Sequence, residues 1–147
     1  TGISSLVPFH ESHEPALEIE LIDLASALLE HGLGEVTVLK VDTEGYDLRV
    51  LAGMNWTDFQ PDVVVVEYED AKTTHLGYSH HDLAAYLQDL GYQVIVSEWF
   101  PVRQYGGDHQ WRGYHDRPSD LHDPESTGNF LGFKDHTIAS AFLERFG

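Results

Sequence analysis

The sequence predicts an α/β domain built on a largely parallel sheet, and three observations carry that expectation. Helical and strand-like stretches alternate along the chain, one strand contains four consecutive valines at Val63 to Val66, and two strands run directly into carboxylates. Alternation of this kind favours right-handed crossovers between parallel strands. An uninterrupted apolar run favours a strand covered on both faces.

Residues 1–16 carry Gly2, Ser4, Ser5, Pro8 and Pro15 and no sustained period, so they read as a loop with a short extended piece at Leu6 to Phe9. Leu21, Leu24, Ala25, Leu28 and Leu29 form the stripe of an amphipathic helix, with Asp23 as its N-cap and Gly32 as its left-handed stop. A strand follows over Val36 to Asp42, rich in β-branched valine, and after Glu44 and Gly45 comes a short helix, Asp47 to Ala52, that seats Leu48 and Leu51. Beyond Pro61 the valine strand ends in Glu67, Glu69 and Asp70. Ser79 and Asp82 resemble a capping box, and Leu83, Tyr86, Leu87 and Leu90 continue as a helix closed by Gly91. Gln93 to Phe100 and Asn129 to Lys134 read as a third and a fourth strand. The aromatic, aperiodic stretch between them, Pro101 to Gly128, reads as an ordered lid. A last helix, Ile138 to Phe146, is expected to dock Ile138, Phe142 and Phe146 on the sheet.

The 147 residues fit one domain, spanning 1–147, with no internal repeat. With no cysteine there is no disulfide framework, and neither a membrane-spanning run nor a secretory leader is visible. A cytoplasmic location without membrane attachment is therefore expected. The formal net charge of -17 would repel nucleic acid and anionic membranes, so neither is an expected partner. The chain opens on Thr1 rather than methionine, which suggests a piece of something longer.

Candidate chemistry gathers at the strand ends. Asp42 and Glu44 lie two apart, a spacing that puts both on one face of a strand, and Glu67 and Glu69 repeat it on the next strand. Ligands of open α/β sheets sit beyond the carboxyl ends of parallel strands. Crowded carboxylates there raise one another's pKa and can serve as acid, base or cation ligands. Histidines occur at His10, His13, His80, His81, His109, His115 and His122, without metal-ligand spacing, and no metal site is expected. His109, in a glycine-containing stretch before Trp111, is the best catalytic histidine. Nucleophile elbows and phosphate-binding loops are missing.

The run from Leu39 to Gly53, LKVDTEGYDLRVLAG, resembles the K-x-D-x-E-G…VL-x-G signature of FkbM-type S-adenosylmethionine-dependent methyltransferases. The strand ending in Glu67-Tyr68-Glu69, the helix closed by Gly91 and the late strand at Asn129 fall in that family's order. The resemblance implies a Rossmann-like class I methyltransferase sheet, mostly parallel, with an antiparallel last strand beside the third. The sequence departs from the family in lacking a glycine-rich cofactor turn after a strand. The N-terminal half is thus expected to be missing, and the Val36 strand to be a free edge through which copies could associate. By the same resemblance, S-adenosyl-L-methionine is the cofactor of the complete domain, and these residues alone are expected to be inactive. Asp42 would lie nearest its methionyl end, as both cofactor-binding and catalytic residue. Glu44 and Glu67 would order the substrate and His109 would act as base, with Glu69, Tyr105 and Trp111 also contacting a small-molecule or glycan acceptor. The expected reaction is O-methylation of a sugar or natural-product hydroxyl. The competing readings are a non-catalytic assembly module with half a sheet and a metal-dependent hydrolase using the carboxylate edge.

Overall fold

The computed structural model describes residues 5, 6, 8, 11, 13–15, 17–103 and 108–147. Tyr105, His10 and, in the Leu6 to Phe9 piece, Val7 and Phe9 lie outside them. The elements are α1 (Leu24–Glu30), β1 (Val38–Val41), α2 (Asp47–Ala52), β2 (Val63–Glu69), α3 (Asp70–Thr73), α4 (His80–Asp89), β3 (Gln93–Trp99), β4 (Trp111–His115), β5 (Thr127–Phe133) and α5 (His136–Phe146). A single turn of 3₁₀ helix, Thr74–Leu76, links α3 to the loop before α4.

The five strands form one sheet in the order β1-β2-β5-β3-β4. β1 and β2 pair in parallel, whereas β2 with β5, β5 with β3 and β3 with β4 pair antiparallel. The expectation of a mostly parallel sheet is therefore corrected. β1, β2 and β3 do run in one direction, but the last strand inserts between β2 and β3 and separates them. The antiparallel placement of that strand beside the third is as expected. A second correction concerns the lid stretch, which contributes β4 at the sheet edge. Its Trp111-Arg-Gly-Tyr114-His115 run carries strand-favouring aromatics that the surrounding glycines, prolines and aspartates obscure in the sequence.

The main core lies on one face of the sheet, where α2 and α4 bring Leu51, Leu83 and Leu87 against Val64, Val66, Tyr68, Val96 and Phe130. α5 covers the other face only in part, through Ala139 and Phe142 against Ile95, Phe133 and Val63. The valine run consequently alternates between buried and half-buried residues instead of being sealed on both sides. The last helix begins at His136, two residues earlier than expected, and its buried residue is Ala139, while Ile138 and Phe146 are exposed. α1 starts on its Asp23 cap, whose carboxylate accepts the Ser26 N–H at 2.8 Å. It buries only Leu28, against Met54 and Phe59, and leaves Leu21 and Leu29 outside. No helix among the described residues is long and apolar enough to cross a membrane.

Candidate functional site at the carboxyl edge of the sheet

β1 ends at Val41, one residue before Asp42, and the chain then turns through Glu44 at φ 57° and Gly45 at φ 103°. Two left-handed residues in succession need a strong local anchor, since only glycine adopts this region without cost. Asp47 supplies it from the first turn of α2. Almost wholly buried, it accepts the Thr43 N–H at 2.9 Å and the Gly45 N–H at 3.1 Å. Tyr78 donates its hydroxyl to the Gly45 carbonyl at 2.9 Å. Gly45 also packs so tightly that a Cβ there would meet the Lys72 carbonyl oxygen at 3.0 Å. Glu44 is thus aimed by a turn, not by the strand alternation that the sequence suggested.

The carboxylates of Asp42, Glu44 and Glu67 come together, with one oxygen of each within 4.8 Å of the others. Into this group reaches Lys72 of α3. Its Nζ lies 2.6 Å from Glu44, 2.7 Å from Glu69 and 3.2 Å from Glu67, and the residue is 8% exposed. Asp42, more exposed, pairs with Lys40. Burial pushes the Glu67 carboxyl up to about 7; Lys72 opposes the rise, and repulsion from Asp42 and Glu44 adds to it. Burial works against the Lys72 ammonium, but its bonds to Glu44 and Glu69 outweigh that penalty and hold its proton more firmly than usual.

Sheet register extends the site sideways. Glu67 lies opposite Asn129, which lies opposite Ser97, while Glu69, Thr127 and Trp99 make the next row. Directly opposed residues project on the same face, so these six share the face on which α5 packs, with Ser97 and Thr127 buried and the other four half-buried. Trp111 donates its indole N–H to Ser97 Oγ at 3.2 Å, which lays the indole over this face. Exposed His109 sets its ring edge-on to Trp99, with centroids 6.4 Å apart. The structure therefore brings Asp42, Glu44, Glu67 and Glu69 to one point, and places Trp111 on β4, three strands from β2 and about 14 Å across, with His109 against Trp99 of β3.

The opposite face carries a second charge cluster that the sequence reading did not anticipate. Glu98, fully buried, accepts Arg112 Nη1 at 3.1 Å, the Ser126 hydroxyl and the backbone N–H groups of His122 and Asp123 at 3.3 Å each. His115 Nε2 lies 3.0 Å away, and His122 Nδ1 also meets the same carboxylate. Burial alone would raise the Glu98 pKa, but the bonds from Ser126, His122 and His115 overcome it and hold it well below its ordinary value. One ligand atom each of Glu98, His115 and His122 lies within 4.8 Å of the others. The His115 Nδ1, however, accepts the Arg117 N–H at 3.3 Å, which puts the ring proton on the Nε2 that faces Glu98. That nitrogen is spent on the carboxylate, and burial keeps the ring neutral by lowering its pKa. His80 is similarly engaged, its Nδ1 lying 2.7 Å from Asp70.

Lys72, Asp47 and Glu98 are the residues that sequence reasoning missed. Lys72 was visible as a lone cation three residues after Glu69 in a chain with only 8 Lys and Arg, and Glu98 as an acid inside an otherwise apolar strand. Asp47 was read only as the start of a helix.

A mixed α/β sheet with its polar constellation beyond the ends of co-directional strands is the architecture of ligand-binding α/β domains. The family model of the Methyltransferase FkbM domain matches residues 4–94, from the N-terminal segment through β1, β2 and α4 into β3. The chain belongs to that methyltransferase family. No curated protein and no solved structure matches it.

Proposed function

We propose that the chain forms the acceptor side of an S-adenosylmethionine-dependent methyltransferase that O-methylates a hydroxyl of a sugar or similar polyol. The observation that supports this most directly is the row of polar residues from half-buried Glu67 and Asn129 to the exposed Trp111, whose indole bonds the buried Ser97. Carboxylates and an amide at one end can hydrogen-bond the hydroxyls of a sugar ring, and an indole at the other can pack on its apolar face.

The carboxylate group fits the cofactor's charge, because Asp42, Glu44, Glu67 and Glu69 outnumber the two ammonium groups of Lys40 and Lys72 and leave negative charge for a sulfonium. The turn after β1 is not a nucleotide cradle, since its Thr43 and Gly45 N–H groups are already spent on Asp47. Asp42 would accordingly hold the methionyl end, and the adenosine would be held by other parts of the domain. When bound, the cofactor supplies an electrophilic methyl group. The work of this chain is to orient the acceptor, keep its hydroxyl aligned and accept the hydroxyl proton, for which Glu67 and His109 are the two candidates on this face. Glu44, Glu67 and Glu69 order the acceptor's hydroxyls, and Tyr105, which lies outside the described residues, belongs with Trp111 to the proposed acceptor contacts.

Asp42→Asn in the active full chain tests this assignment. Turnover of a glycoside acceptor should vanish while the circular dichroism spectrum stays unchanged, and near-normal turnover would sink it.

A further inference from the structure

We propose that Lys72 is a positioning residue of this site: its ammonium draws Glu44, Glu67 and Glu69 from two separate elements to one point and holds Glu67 ready to take the acceptor's proton. The use of that proton rests on the methyltransferase reading; the positioning does not.

The geometry carries the argument. Glu44 reaches the cluster from the turn after β1, Glu67 and Glu69 from the end of β2, and Lys72 from the following single-turn helix. Three carboxylates brought this close repel one another, and a cation among them offsets the repulsion only if it cannot swing away into water. Lys72 is held in that way. Its side chain is 10% exposed, and the Gly45 turn presses on its backbone with no room for a Cβ. Its two shortest contacts go to Glu44 and Glu69, and the longest, 3.2 Å, goes to Glu67. Glu67 is thus the least neutralised member of the group. The charged or titratable groups around it are Asp42 at the end of β1, Glu44 in the turn, Glu69 on its own strand, Lys72 on α3 and the Tyr78 phenol ahead of α4. On β5 it lies opposite the neutral Asn129, which in turn lies opposite the neutral Ser97 of β3. The high proton affinity of Glu67 agrees with this arrangement, and a carboxylate of this kind is matched to proton exchange near neutral pH. In the step itself the O–H bond of the acceptor breaks, its electron pair stays on the acceptor oxygen, and the proton passes to a Glu67 carboxylate oxygen and then to water.

Carboxyl ¹³C resonances of the glutamate-labelled chain, followed from about pH 4 to about pH 9 by NMR, test the proposal without cofactor or acceptor. One resonance should titrate near 7 and disappear in Glu67→Gln. Lys72→Met should move that midpoint up by about one unit or more, a tenfold change in proton affinity, while Lys72→Arg leaves it within about half a unit. Glu44→Gln removes a repelling charge, releases Lys72 toward Glu67 and should move the midpoint down. This second variant keeps the test decisive if Lys72→Met does not fold. A Glu67 midpoint in the ordinary range of about 4 to 5, or one that neither substitution moves, overturns the proposal. Failure of the full chain to transfer methyl groups would overturn the methyltransferase reading and leave these midpoints where they are.

Discussion

Two charge clusters sit on opposite faces of one sheet, and they solve the problem of buried charge in opposite ways. Around Lys72 a single cation is shared among Glu44, Glu67 and Glu69, and the group stays partly open to solvent with a surplus of negative charge. Around Glu98 a single fully buried carboxylate is shared among Arg112, His115, His122, Ser126 and two backbone N–H groups, so the donors are in surplus. In the first, one carboxyl keeps its proton unusually long; in the second, the carboxylate gives it up early. A cluster whose surplus faces outward can exchange protons and bind hydroxyls. One whose surplus is consumed internally ties together the pieces that supply it, here β3, β4 and the loop to Ser126.

The sharpest way to break this contrast is Glu98→Ala. It strips Arg112, His115 and the half-exposed His122 of the fully buried acceptor they share, and should cost about 3–5 kcal/mol in urea denaturation. A cost below about 1 kcal/mol would mean that the cluster is not structural. The next effect is smaller and depends on pH. Folding raises the Glu67 value from 4.5 to about 7, so between these limits the folded chain keeps a proton that the unfolded chain has lost. Stability attributable to Glu67 therefore declines as pH rises from about 4.5 to about 7. Glu67→Gln should be near neutral at about pH 4 and stabilising by about 1–3 kcal/mol at about pH 8, read from denaturation midpoints at the two values. Glu98 has the reverse sense: its folded value lies below 4.5, so its contribution is complete above that point and is lost as pH falls. The smallest effect belongs to the exposed pair on the first strand. Lys40→Ala removes a partner of Asp42 with both side chains about half in water, and should change stability by less than about 0.5 kcal/mol.

Apart from α3 and the 3₁₀ turn after it, the helices and strands before Trp99 could be read from the chain because local signals mark them: Asp23, Ser79 with Asp82, and Gly91 bound helices, and valines mark β1 and β2. The sheet order had no local signal, because the position of β5 depends on pairing with Val63–Glu69, far away in the chain, and only the family resemblance set that strand antiparallel beside the third. β4 was hidden for a related reason: a five-residue edge strand with one glycine has little pattern of its own and is fixed by its pairing with β3. At the site, the four acids were legible from their places at strand ends. Their counter-charge was not, because Lys72 reaches Glu44 only through the left-handed turn that Asp47 and Gly45 hold.

The insertion of β5 at the middle of the sheet also sets a timetable for synthesis. β2 and β3 have no shared partner until Thr127–Phe133 exist, because each pairs with that segment along its whole length and not with the other. Before that segment exists, the native pairings open to the chain are β1 with β2 and β3 with β4. One late stretch of seven residues joins the two halves. The valine edge of β2 therefore lacks its native partner until Thr127–Phe133 have been made, and an unpaired strand edge of this kind is open to association with other chains.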